Sequence, residues 1–184
     1  MTLPIITTKR TILKILTSNE ASMRLAFEIE NKAHLSPWGP AQSEDFYTLP
    51  AMQERTEKMH QAALDGSTVY FSAIDPVTQK MMATCSFTNI IKGAFLACHL
   101  GYGVAKSHEG QGFMQEIVEA GIQYMFDEVG LHRIMANHQP SNLRSEKLLK
   151  KIGFEREGYA KSYLKINGKW EDMVLNALVN PKQQ

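Results

Sequence analysis

Apolar positions along the chain follow two periods. Over 111–129, Met114, Ile117, Val118, Gly121, Ile122, Met125, Phe126 and Val129 recur at helical spacing, and Gly130 marks the stop. Over 142–152, Leu148, Leu149 and Ile152 form the buried stripe of a shorter helix, with Ser141 or Asn142 at its N-cap and Gly153 closing it. Extended runs rich in apolar residues at 11–16, 68–74, 80–90, 94–104 and 131–138 predict strands. Two more extended runs, 154–166 and 170–179, flank Asn167-Gly168, a strong two-residue hairpin signal. Residues 19–33 predict a helix, and a further helical stretch, broken by Pro50, resumes to about residue 64. Three consecutive strands followed by alternating helices and strands predict an α/β (α+β) fold, a mixed sheet with helices on both faces.

Between the run at 94–104 and the helix at 111–129 sits Glu109-Gly110-Gln111-Gly112-Phe113-Met114. Glycines there let backbone N–H groups approach a ligand with no Cβ in the way. The helix that follows adds unpaired N–H groups and the positive end of its dipole. Strand, glycine turn and helix together suit an anion such as a phosphate or pyrophosphate, although a tight connection without a ligand fits the same residues. No Lys-Ser or Lys-Thr follows the glycines, which argues against a nucleotide-triphosphate loop. No full G-x-G-x-x-G with a later acidic residue occurs, which argues against a dinucleotide fold.

Composition narrows the class. A chain of 184 residues with 43% hydrophobic content can bury a full core as a single domain over 1–184. No run of 18 apolar residues and no secretory h-region near the start are visible, so a cytoplasmic protein without membrane association is expected. Cys85 and Cys98 lie in strand-like runs and read as buried thiols, not a disulfide framework. The six histidines lack metal-ligand spacing, so no metal is expected. A net charge of +1 without a basic run gives no sign of direct nucleic-acid binding.

The order of glycine turn, helix, strand, asparagine-containing turn, short helix and Gly-Phe resembles the GCN5-related N-acetyltransferase superfamily. "HLSPWGP", "FTNIIKGAFLACHLGYGV" and "HRIMANHQPSNLRSEKLLKKIGFEREGYAKSYLKINGKWEDMVLNAL" resemble its RimJ-like branch, the ribosomal-protein-alanine N-acetyltransferases, over about residues 11–178. The resemblance implies the acyl-CoA N-acyltransferase fold, with a mostly antiparallel central sheet. Two neighbouring strands, 94–104 and 131–138, should splay to admit the pantetheine arm of acetyl-CoA.

It also implies site residues. Glu109, Gly110, Gln111, Gly112, Phe113 and Met114 should hold the pyrophosphate through their backbone. Glu109 and Met114 depart from the family's Arg/Gln-x-x-Gly-x-Gly/Ala pattern, and the Glu109 carboxylate is expected to point away. Tyr102, Gly103 and Val104 should pair with the pantetheine, although the side chains of Tyr102 and Val104 equally suit core packing. Asn142 should hold the arm as well as cap its helix. Many relatives carry a tyrosine where Leu149 stands and a glutamate where Asn137 stands. Asn137 is kept as a cofactor contact, and Ser145 becomes the remaining hydroxyl within reach of the sulfur, a small packing residue being the alternative.

An α-amino group, with a pKa of about 7.7–8.0, is partly neutral near pH 7, so direct attack on the thioester needs no strong base. This favours an N-terminal amine over lysine, and the resemblance implies the N-terminal alanine of a small-subunit ribosomal protein. Trp38, Pro40, Phe87 and Tyr163 are the candidates for its groove, with core packing as the other reading of the aromatics. Two further functions fit the residues: acetylation of a small amine such as a polyamine or antibiotic, and a non-catalytic acyl-CoA-binding module. A monomer or a homodimer is compatible with all three.

Overall fold

The computed structural model describes residues 3–183; the termini of the expected domain, residues 1, 2 and 184, lie outside the described residues. Among the described residues, eight strands form one sheet in the order β1-β2-β3-β4-β5-β6-β8-β7. They are β1 (Ile5–Thr7), β2 (Ile12–Lys14), β3 (Val69–Ile74), β4 (Met81–Ile91), β5 (Ala97–Val104), β6 (Arg133–His138), β7 (Glu155–Ile166) and β8 (Lys169–Val179). Every neighbouring pair is antiparallel except β5 and β6. The helices are α1 (Ala21–Glu30), α2 (Lys32–Leu35), α3 (Leu49–Leu64), α4 (Phe113–Asp127) and α5 (Leu143–Lys151). The mixed, mostly antiparallel sheet and the helical segments match the sequence expectation, with three differences, one being that the helix expected over 19–33 is split at Asn31 into α1 and α2. The short β1 was not foreseen, since three residues carry too little pattern. Pro50 begins α3 instead of breaking it, because the first helical turn needs no N–H from that position.

Strand alternation distributes the core. Val69, Phe71 and Ala73 of β3 and Ala83, Cys85 and Phe87 of β4 face one cluster, where Ile117, Val118 and Met125 of α4 and Leu149 of α5 join them. Leu16, Ile74, Met81 and Ala105 form a second cluster with Phe27 of α1. Gly121 sets the closeness of α4 to the sheet: a Cβ there would lie 2.8 Å from Phe87 Cε2. Asn167 and Gly168, with φ of 47° and 80°, make the hairpin turn that the dipeptide predicted.

One register detail positions everything below. β5 pairs with β6 only over Ala97, Cys98 and His99, opposite Arg133, Ile134 and Met135. From Leu100 to Val104, β5 stays bonded to β4 alone, while Ala136 to His138 stay with β8. The two strands part, and the gap opens towards the glycine turn and the start of α5.

Candidate active site

A cavity of about 1230 Å³ fills this gap. Its walls are the end of β5 (Tyr102, Gly103, Val104), residues from His108 to Gln115 apart from Gln111, the turn into α5 with its first residues (Ser141 to Ser145), and residues between Glu30 and Trp38. Leu35 closes one side, its Cδ2 being 3.3 Å from where a Gly103 Cβ would stand.

The glycine turn has a backbone geometry that suits an anion. Gly110 and Gly112 have φ of 71° and 78°, the left-handed region in which a side chain is strained. Gly112 is the N-cap of α4, whose first internal bond is Glu116 N–H to Gly112 O at 3.3 Å. The N–H groups of Phe113, Met114 and Gln115 therefore precede the helix's own bonding pattern. Arg10 braces the turn from outside: Nη1 donates to Gln111 O at 2.9 Å, and the guanidinium lies 4.0 Å from the Phe113 ring centroid. Arg10 is itself fixed by Glu116, through Nε at 2.7 Å and the backbone N–H at 2.7 Å. Burial pushes the Glu116 carboxyl upward, but hydrogen bonds from Thr8 and Arg10 outweigh it and hold the group below its usual range.

The Glu109 carboxylate, expected to point away, does not. Its carboxylate pairs with Arg144 of α5 and lies 3.4 Å from His34 Nε2, on the cavity rim. A tertiary cation offsets a charge that looks unfavourable in the sequence.

Asn142 caps α5, its Oδ1 accepting from Ser145 N–H at 3.1 Å. Ser145 Oγ sits 2.6 Å from the Tyr102 hydroxyl. The Tyr102 side chain is thus neither plain core nor a bystander. Burial pushes its phenol up to about 12, against a small lowering from Ser145, so it stays protonated near neutral pH. Leu149, one turn beyond Ser145, is buried in the main cluster.

Other predicted residues separate. Trp38, 44% exposed, lines the cavity. Its turn, Ser36–Trp38, is tethered by Gln139 Nε2 to Pro37 O (3.3 Å) and by Asn167 Nδ2 to Ser36 O (3.0 Å). Pro40 is exposed beyond that turn and forms no part of the cavity wall. Tyr163 is exposed on β7 and likewise stands off the cavity wall. Phe87 is a correction: it is fully buried against α4, so no peptide can reach it. Asn137 sits in β6 opposite Leu175 and also lies outside the cavity lining. Sequence reasoning missed Arg10, Arg144 and Asn31; the last ties α1 to the turn after β5, its Oδ1 accepting from Lys106 N–H at 3.0 Å. None carries a local signal, since each acts on residues distant in the chain.

Both cysteines are buried in strands and outside the cavity. Burial pushes the Cys98 thiol up to about 12 and that of Cys85 higher still. Among the described residues, no helix is long and apolar enough to cross a membrane.

The chain is similar to known proteins. The acetyltransferase (GNAT) domain family matches residues 10–155. The [ribosomal protein uS5]-alanine N-acetyltransferase of Escherichia coli (strain K12) is 38% identical over 176 residues, covering 96% of this chain and 91% of that protein. The crystal structure of ribosomal-protein-S5-alanine acetyltransferase from Vibrio fischeri superposes with a TM-score of 0.93 at 32% identity, covering 98% and 99% of the two chains. Mycobacterium smegmatis RimJ, solved in complex with CoA-disulfide, shares the fold at a TM-score of 0.90 and 24% identity, covering 97% and 88%.

Proposed function

The chain belongs to the acetyltransferase (GNAT) domain family, with RimJ-type enzymes among its relatives, and we propose that it moves an acetyl group from acetyl-CoA to the N-terminal alanine α-amino group of a small-subunit ribosomal protein. The observation that carries this reading is the convergence of the glycine turn, the unpaired edge of β5 and the Ser145 hydroxyl on one cavity. The alanine acceptor is supported by the relative with 38% identity over almost the whole chain.

The residues present fit the cofactor. Backbone N–H groups between Gly110 and Gln115 would hold the diphosphate, helped by the α4 dipole. The edge of β5 at Gly103 and Val104, left without a strand neighbour, would bond the amide-containing arm as a short added strand. With Oδ1 of Asn142 committed to the cap, its amide NH₂ remains to donate to that arm. Bound acetyl-CoA supplies an acetyl group activated as a thioester, with a thiol as leaving group. Ser145 Oγ would donate a hydrogen bond at that sulfur, which stabilises negative charge there without a strong acid.

The acceptor amine attacks directly: its nitrogen forms the new amide bond as the carbon–sulfur bond breaks, and the surplus amine proton passes to water. Direct attack is supported by the placement of Cys85 and Cys98, protonated and away from the cavity. Trp38 on the cavity rim is the residue suited to hold the peptide end.

The test is mass analysis of alanine-first peptides, lysine-bearing peptides and polyamines incubated with acetyl-CoA and the protein. Acetylation is expected at the α-amino group of alanine, with a rate climbing about tenfold from pH 6 to 7 and levelling above the amine pKa of about 7.7–8.0. Acetylation confined to lysine side chains or polyamines would reject this acceptor. Cofactor binding without transfer to any amine would leave an acyl-CoA-binding module.

A further inference from the structure

Ser145 is a weak acid with a mobile hydroxyl, and a serine inside a helix commonly turns its O–H back to the carbonyl four residues earlier. Here the residue four back is Ser141, two positions before α5 begins at Leu143, and its carbonyl already accepts from Leu143 N–H at 3.0 Å. A Ser145 proton spent there would be lost to the cavity. Against that tendency stands the Tyr102 hydroxyl, 2.6 Å from Ser145 Oγ, brought in from β5 where the strand has left β6. Both side chains line the cavity. On the far side of Ser145 along its helical face, the next turn offers only the buried hydrocarbon of Leu149.

We propose that Tyr102 is a positioning residue that donates its phenolic O–H to Ser145 Oγ and thereby aims the Ser145 proton into the cavity at the cofactor sulfur. The inference rests on the acetyl-CoA reading above. A phenol is the stronger acid of the two hydroxyls and so takes the donor role. Serine has one proton and two lone pairs, so accepting from Tyr102 leaves its own proton for a different partner. Each bond in such a chain polarises the next, which makes Ser145 a better donor than an isolated serine. No proton leaves Tyr102: burial keeps the phenol protonated, and the chain acts through hydrogen bonding alone.

The experiment titrates the thiol of bound CoA by its thiolate ultraviolet absorbance, which requires neither transfer nor a known acceptor. Cys85 and Cys98 stay protonated through the range scanned, up to about pH 10, and do not interfere. The charged or titratable groups around the cavity, Glu30, His34, Lys106, His108, Glu109, Arg144, Lys147 and Lys151, are the same in wild type and variants, so the comparison isolates the hydroxyls. In Tyr102→Phe, which keeps the packed ring, the CoA thiol is expected to titrate about half a pH unit higher, a roughly threefold smaller ionisation constant, with CoA affinity by calorimetry within about twofold. Ser145→Ala should raise the value at least as far, and the double variant should match Ser145→Ala. An unchanged thiol in Tyr102→Phe, or two substitutions that add in full, would overturn the proposal. If Tyr102→Phe lacks a cooperative unfolding transition, wild type against Ser145→Ala decides: equal thiol values overturn it. A wild-type protein that binds no CoA would overturn the cofactor reading instead, and CoA binding without peptide acetylation would overturn only the acceptor.

Discussion

The two halves of β5 behave as different materials. From Ala97 to His99 the strand is bonded on both edges, and Ala97 and Cys98 are fully buried. From Leu100 to Val104 it keeps β4 and loses β6, and Tyr102, Gly103 and Val104 line the cavity. The first half is an anchor whose backbone is held by a strand on each side. The second half exposes a backbone edge and a phenol to whatever enters, at a place the anchor holds rigid. A splayed strand thus joins core and site within eight residues, and the site borrows its precision from the half that has none of the chemistry.

Substitutions in the two regions should separate stability from binding. The largest effect is expected on the anchored side. Phe87→Ala should cost about 3–5 kcal/mol in denaturant unfolding, since it empties the space that Gly121 leaves for the ring. A stability within about 1 kcal/mol of wild type, with a raised peptide KM, would instead return Phe87 to the acceptor groove.

On the open side, Gly112→Val should weaken acetyl-CoA binding by at least about tenfold in calorimetry, equivalent to about 1.4 kcal/mol. Gly112 has φ of 78°, so a branched side chain also strains the turn by about 1–2 kcal/mol, which should appear as a modest loss of thermal stability. Unaltered affinity would remove this turn from the cofactor site. Trp38→Ala, on the rim, should act least: a peptide KM raised by about three- to tenfold, consistent with losing about 1 kcal/mol of contact, and near-normal acetyl-CoA binding. A shifted acetyl-CoA affinity with unchanged peptide KM would move Trp38 from the acceptor to the cofactor side of the cavity.

The elements that bound the site were legible because their signals are local. Gly110 and Gly112 sit at left-handed φ, Asn142 caps α5 through Ser145 N–H, and Asn167-Gly168 turns the last hairpin. Each of these depends on residues within a few positions of one another, so the sequence alone determined them, together with the order of strands and helices. The contacts that complete the site join distant segments. Tyr102 meets Ser145 across 43 positions, Arg10 meets Gln111 across 101, and Arg144 meets Glu109 across 35. Periodicity states that a strand has two faces but not what lies opposite each face. That is why Phe87 looked like a groove residue and is core, and why Glu109 looked like an unpaired charge and has a cation. Register and the parting of β5 from β6 decided both, because they fix which side chains share one volume, a property of the packed sheet that no single segment contains.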